Sequence, residues 1–105
     1  MSGKLQISIP RAQVEEFCRK WKITEFSLFG SVLRDDFSPD SDVDVLVTFA
    51  TDTKYSLFDL VHAHNELERI LGRRVDLAER QAIERSRNYI RRRHILSTAE
   101  LFYAA

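Results

Sequence analysis

Apolar residues recur along this chain at two alternating spacings. Val14, Phe17, Cys18 and Trp21 fall three and four apart, the stripe of an amphipathic helix, and Pro10 suits its first turn, so a helix is expected to about Lys22. A short apolar run from about Glu25 to Phe29 reads as a strand. Val43, Val45, Val47 and Phe49 then alternate with Asp42, Asp44, Leu46 and Thr48, the period of two that marks a second strand. Between the strands, a short helix is expected over Ser31 to Asp35. A loop from Phe37 to Ser41, with Pro39 inside it, returns the chain.

Helical spacing resumes with Leu57, Leu60, Val61, His64, Leu67 and Leu71, where Ser56 is a plausible N-cap and Gly72 a stop. Val75-Asp76-Leu77 directly afterwards reads as a short strand. The remainder, Gln81 to Tyr103, reads as helical with a break near His94 to Ser97. Ile95, Leu96, Leu101, Phe102 and Tyr103 form a late apolar patch that either covers the core or meets a partner subunit. Repeats, low-complexity tracts and linkers are absent from the sequence.

With 105 residues the chain is expected to form one domain over 1–105, with a modest core and no room for a separate substrate-recognition domain. The longest apolar run falls far short of the roughly 18 residues of a membrane span. Met1 to Pro10 carries one lysine and neither an apolar block nor a cleavage-like site, unlike a signal peptide, so a cytoplasmic location is expected. A lone cysteine makes no internal disulfide, and Cys18 lies in the first helical stripe, where a packing role is ordinary.

Zero net charge hides an uneven distribution. Nine arginines lie from Arg69 to Arg93 against Asp76, Glu79 and Glu84, while Asp35 to Asp44 holds five aspartates and no base. The acidic segment fits a metal-binding loop neutralised when loaded. The basic segment has three candidate uses: a solvated helix surface, a nucleotide or RNA contact, or docking to an acidic protein. Arg91, Arg92 and Arg93 cannot share one helical face, which weakens groove binding to nucleic acid as a primary role.

The candidate chemistry lies in Gly30-Ser31 and the acids after it. Asp42 and Asp44 project from one strand face and repel each other unless a hard cation takes oxygen ligands from both; Mg2+ usually completes its shell with water and substrate phosphates. Gly30 ends the Phe26 to Phe29 run, where a glycine lets backbone N–H groups approach an anion and a short helix begins. If the strand carrying Asp76 lies beside the first two acids, its carboxylate completes a triad. Two Mg2+ ions roughly 3.5 to 4 Å apart could then activate an attacking oxygen and neutralise a leaving pyrophosphate. Asp76 would bridge the ions and serve as a possible proton acceptor.

Gly30-Ser31, ten intervening residues, Asp42-x-Asp44 preceded by Ser41, and the later Val75-Asp76-Leu77 resemble the minimal nucleotidyltransferases of the DNA polymerase beta-like superfamily. The likeness extends to the order and sizes of elements from about Val14 onward. It implies an α/β (α+β) fold with a small mixed sheet flanked by helices. It also implies that Gly30 and Ser31 contact the triphosphate, that Asp42 and Asp44 hold metal, and that Asp76 is the third carboxylate. Arg34 matches a position where that family often has a basic residue, whereas Asp35 replaces its usual small residue. The cofactor implied is Mg2+, with ATP as substrate. Single-domain members of this group are usually antitoxins paired with a helical HEPN-domain ribonuclease toxin, so the resemblance further implies a hetero-oligomer and AMP transfer to a tyrosine of that toxin.

Plainer readings stand beside these. Gly-Ser at a strand end is commonly a turn, and Asp-x-Asp occurs by chance on exposed strands. A catalytically vestigial subunit that neutralises its partner by occlusion is one alternative, and a small-molecule or RNA-end nucleotidyltransferase is another. Three like charges in one cleft serve no purely structural end, which favours an active enzyme. His62 and His64, two apart on a helix, point in different directions and make a poor metal pair, so His64 is expected to be a packed or interface residue and His62 exposed.

Overall fold

A computed structural model describes residues 9–33 and 41–105. Helix α1, Arg11–Lys20, follows Pro10 and buries Val14, Phe17 and Cys18. Lys22 turns the chain with φ 55°, the left-handed conformation common just past a helix end, and leads into strand β1, Ile23–Phe29. A single 3-10 turn, Gly30–Leu33, follows directly. Strand β2 is Val43–Phe49. Arg34, the expected extension of the short helix to Asp35 and the loop around Pro39 lie outside the described residues.

Helix α2, Leu57–Leu71, starts and stops where the sequence indicates. The Ser56 hydroxyl accepts from the Asp59 N–H at 3.2 Å and the Asp59 carboxylate accepts from the Ser56 N–H at 2.9 Å, a reciprocal cap. Gly72, at φ 67°, closes the far end. The stripe is only partly buried: Ala63 and Leu67 reach the core, whereas Leu57 and Val61 of the early turns are exposed, beside Phe58. Strand β3, Val75–Glu79, runs straight into helix α3, Arg80–Glu84.

The C-terminal part departs from the periodicity. The expected break near His94 to Ser97 falls instead at residues 85–88, where the Asn88 side chain accepts from the Arg91 N–H at 3.1 Å and starts helix α4, Tyr89–Thr98. The final residues are not helical: Glu100–Ala104 form strand β4. Tertiary pairing overrides local pattern here. The outer edge of β1 is open to antiparallel pairing, and Phe102 packs 6.0 Å from Phe26 beneath the Arg11 guanidinium, which sits 4.0 Å above its ring. Of the two uses foreseen for the terminal apolar patch, Phe102 and Tyr103 serve the core, while Leu101 is exposed.

The four strands form one mixed sheet in the order β3-β2-β1-β4. β1 is antiparallel to both β2 and β4, and β2 is parallel to β3. One face, with Phe26, Leu28, Val43, Val45 and Val47, packs against α1 and α2 in the main core. The other face is smaller: Phe29 and Leu46 meet Ile83 of α3 and Ile95 of α4. β2 is therefore buried on both faces along its middle, and the polar end of its second face is left to Asp44.

Candidate active site

Strand pairing decides which acids meet. Asp44 on β2 is in register with Phe29 on β1 and with Asp76 on β3. Registered neighbours of a sheet share a face and stand about 4.8 Å apart, so Phe29, Asp44 and Asp76 form a row across three strands. The apolar member of the row is buried and Asp76 is exposed, so the row runs from the core outward into solvent. The sequence condition that the Asp76 strand lie beside the Asp44 strand is met in the geometry.

Gly30 follows Phe29 and sits against the same row. Its φ of 74° is one that glycine adopts without penalty, and a Cβ placed on it would run into the Asp44 carboxylate. Ser31 continues the 3-10 turn. Gly30 also borders a cavity of about 340 Å3 that reaches the last turn of α4 and is lined by Leu33, His94, Ser97, Thr98 and Glu100.

Asp42 stands just before β2 and is exposed, with its Oδ1 3.3 Å from Nε of Arg74, the residue that leads into β3. Arg74 is a site neighbour that periodicity could not single out among nine arginines. The other basic residues are mixed in placement: Arg80 reaches Glu25 at 3.8 Å, and Arg92 donates back to the Ser86 carbonyl at 2.9 Å. Arg85, Arg87, Arg91 and Arg93 are exposed. His64 and His62 behave as their spacing indicates: His64 is half-buried with its Nε2 2.6 Å from the Val75 carbonyl, and His62 is exposed.

Among the described residues no three acidic, histidine or cysteine side chains are gathered into a ready-made metal cluster. A hard divalent cation does not need one. Mg2+ is held by one or two carboxylates with phosphate and water completing an octahedron. Asp44 and Asp76 side by side, Asp42 close before β2, and a backbone cradle at Gly30 that a side chain would fill are a donor set of that kind.

The sequence profile of the nucleotidyltransferase domain family matches residues 11–98. The protein adenylyltransferase MntA of Thermococcus cleftensis is 35% identical over 77 residues, which cover 73% of this chain and 76% of that protein. Among solved structures, a toxin-antitoxin complex with AMP-PNP superposes with a TM-score of 0.69 at 16% identity, covering 92% of this chain and 75% of the other. A tri-AMPylated Shewanella oneidensis HEPN toxin in complex with an MNT antitoxin superposes with a TM-score of 0.61 at 18% identity, over 90% of this chain and 70% of the other. At such identities these superpositions speak for the fold, a mixed four-stranded sheet flanked by helices. The profile match and the Thermococcus relative carry the assignment: the chain belongs to the nucleotidyltransferase domain family.

Proposed function

We propose that this chain is the antitoxin of a two-component pair, a Mg2+-dependent enzyme that transfers AMP from ATP to a tyrosine hydroxyl of a HEPN-domain ribonuclease and releases pyrophosphate. The observation that carries this reading is the row Asp44-Asp76 with Gly30 closed onto Asp44. The names of the similar proteins, a protein adenylyltransferase and an MNT antitoxin bound to an AMPylated HEPN toxin, support the acceptor class. The AMP-PNP complex supports an adenine nucleotide.

In this reading the backbone at Gly30 and Ser31 receives the triphosphate, because a residue without Cβ lets phosphate oxygens reach the N–H groups. Arg34 offsets triphosphate charge. Asp42, Asp44 and Asp76 would hold the metal, which when bound neutralises charge on the phosphates and lowers the pKa of a coordinated hydroxyl. Asp76, exposed at the outer end of the row, is where an incoming hydroxyl can arrive, and its carboxylate would accept the proton. The chain would act as a single domain in the cytoplasm; among the described residues no helix is long and apolar enough to cross a membrane.

Intact-mass measurement of a HEPN-domain ribonuclease incubated with the chain, ATP and Mg2+ tests the proposal. Each transfer adds about 329 Da, a mass fixed by the chemistry of AMP transfer. Asp44→Asn and Asp76→Asn should abolish the increment in folded protein. An increment that survives both substitutions removes the row from the chemistry.

A further inference from the structure

β3 is an edge strand, yet the backbone of its first residue is not left to water. The Arg74 carbonyl accepts from the Val43 N–H at 2.9 Å, so residue 74 turns its polar groups toward β2. Along a strand the polar groups alternate sides, so Val75 turns its N–H and C=O outward. Two side chains of α2 take both. Glu68 Oε2 accepts from the Val75 N–H at 2.8 Å, and His64 Nε2 lies 2.6 Å from the Val75 carbonyl oxygen. A carbonyl can only accept, so the imidazole proton is on Nε2. The two side chains, four apart on one helical face, also touch: His64 Nε2 is 3.4 Å from Glu68 Oε2.

These contacts hold, from the open side of the edge strand, the two peptide planes flanking Val75, the first of which the Val43 N–H holds from the β2 side through the Arg74 carbonyl. The plane held by His64 contains the Val75 C=O and the Asp76 N–H, because the peptide unit is rigid. Rotation of that plane would swing the Asp76 Cα and carry its carboxylate out of line with Asp44. We propose that His64 and Glu68 are positioning residues for Asp76: they anchor the exposed end of the acid row to the rigid helix α2. The inference rests on the reading of Asp76 as a participating carboxylate. Protection of a sheet edge alone would make the same bonds but would leave turnover untouched.

The test uses the full chain with a HEPN-domain ribonuclease as acceptor, ATP and Mg2+. In the unaltered protein the Val75 amide should be protected from hydrogen exchange despite lying on an edge; free exchange there overturns the proposal. Glu68→Ala should lose that protection and lower kcat for AMP transfer by about 10- to 100-fold, the usual effect of losing an outer-shell partner. KM for ATP should stay within about twofold, because the proposed phosphate cradle lies in the turn that follows β1 and not on β3. Glu68→Gln, which keeps an acceptor oxygen, should restore both protection and kcat. Should Glu68→Ala fail to fold, His64→Asn, which shortens the side chain and withdraws the donor, carries the same kcat test. Full kcat in folded Glu68→Ala or His64→Asn, with Asp76→Asn inactive, overturns the positioning role alone. Full activity of Asp76→Asn removes both the reading of Asp76 and the role built on it.

Discussion

Gly30 has no side chain because the Asp44 carboxylate stands where its Cβ would be. The same residue has φ 74°, so two independent constraints meet at one position. Gly72 shares the conformation, at φ 67°, but among the described residues nothing beyond its own stretch of chain lies within 4 Å of where its Cβ would go. The two glycines therefore form an internal control. Gly72→Ala should cost about 1 kcal/mol, the left-handed penalty, and leave transfer intact. Gly30→Ala should carry that penalty and also displace the Asp44 carboxylate, with transfer lost by about 100-fold or more, the scale of a 1 Å misplacement at a reacting centre. Urea unfolding and transfer assays on both variants check this. Equal activity of the two would show that the Gly30 to Asp44 contact has no part in the chemistry.

Cys18 gives a pH dependence with a definite sign. Burial, with the nearby Glu15 charge adding to it, pushes the thiol up from 9.0 to about 12, against a smaller opposing pull from Arg19. The unfolded chain ionises its thiol first, so this contribution is complete below about pH 9 and is lost as the pH rises toward 12. Tyr55 is shifted the same way, chiefly by burial, and its hydroxyl donates to the Trp21 carbonyl at 2.7 Å, so it reinforces the trend. Denaturation midpoints should fall across the alkaline range more steeply than those of Cys18→Ala measured in parallel. Iodoacetamide at pH 8 should label Cys18 only when denaturant is added.

The parts of the fold legible in the sequence are those whose local signals agree with their tertiary use. α2 carries a cap at Ser56 and a left-handed stop at Gly72, and its boundaries follow those residues. β2 keeps one face apolar throughout while its second face turns polar at Asp44 and Thr48, and the resemblance that rests on Gly30, Asp42, Asp44 and Asp76 points to the family that the profile match assigns. β4 was not legible: Glu100–Ala104 is a strand only because the open edge of β1 receives it, and a partner strand leaves no mark in the receiving sequence. The exposed Leu57 and Val61 fail for a related reason, since periodicity shows which residues share a helical face but not how far the sheet beneath extends. Asp42 with Arg74, and Val75 with His64 and Glu68, required the parallel placement of β3 on β2 before they could be seen.

Metal and nucleotide binding should be coupled. With no preformed cluster among the described acids, Mg2+ alone should bind weakly, and ATP phosphates should supply the missing ligands. Titration calorimetry should find ATP affinity falling sharply when EDTA is present and Mg2+ affinity rising when ATP is added, by the same factor, because the coupling of two ligands is reciprocal. ATP binding indifferent to chelator would mean that the carboxylate row and the nucleotide site are separate.

Catalysis and occlusion predict different stoichiometries, and the acid row separates them. Carboxylates held together at a strand end serve a reaction, whereas a surface that merely covers a partner has no use for their mutual repulsion. If the chain is an adenylyltransferase, a small amount with ATP and Mg2+ should inactivate a molar excess of a HEPN-domain ribonuclease, and the inactivation should outlast removal of the chain. Asp42→Asn and Asp44→Asn should then leave binding to the ribonuclease intact while abolishing turnover, since neither substitution removes core packing: Asp42 is exposed and Asp44 only half-buried. If the chain acts by occlusion, inhibition should need roughly equal amounts, ignore both substitutions, and disappear when the complex is separated. That second pattern would leave the fold assignment standing and overturn the enzymatic role proposed for this pair.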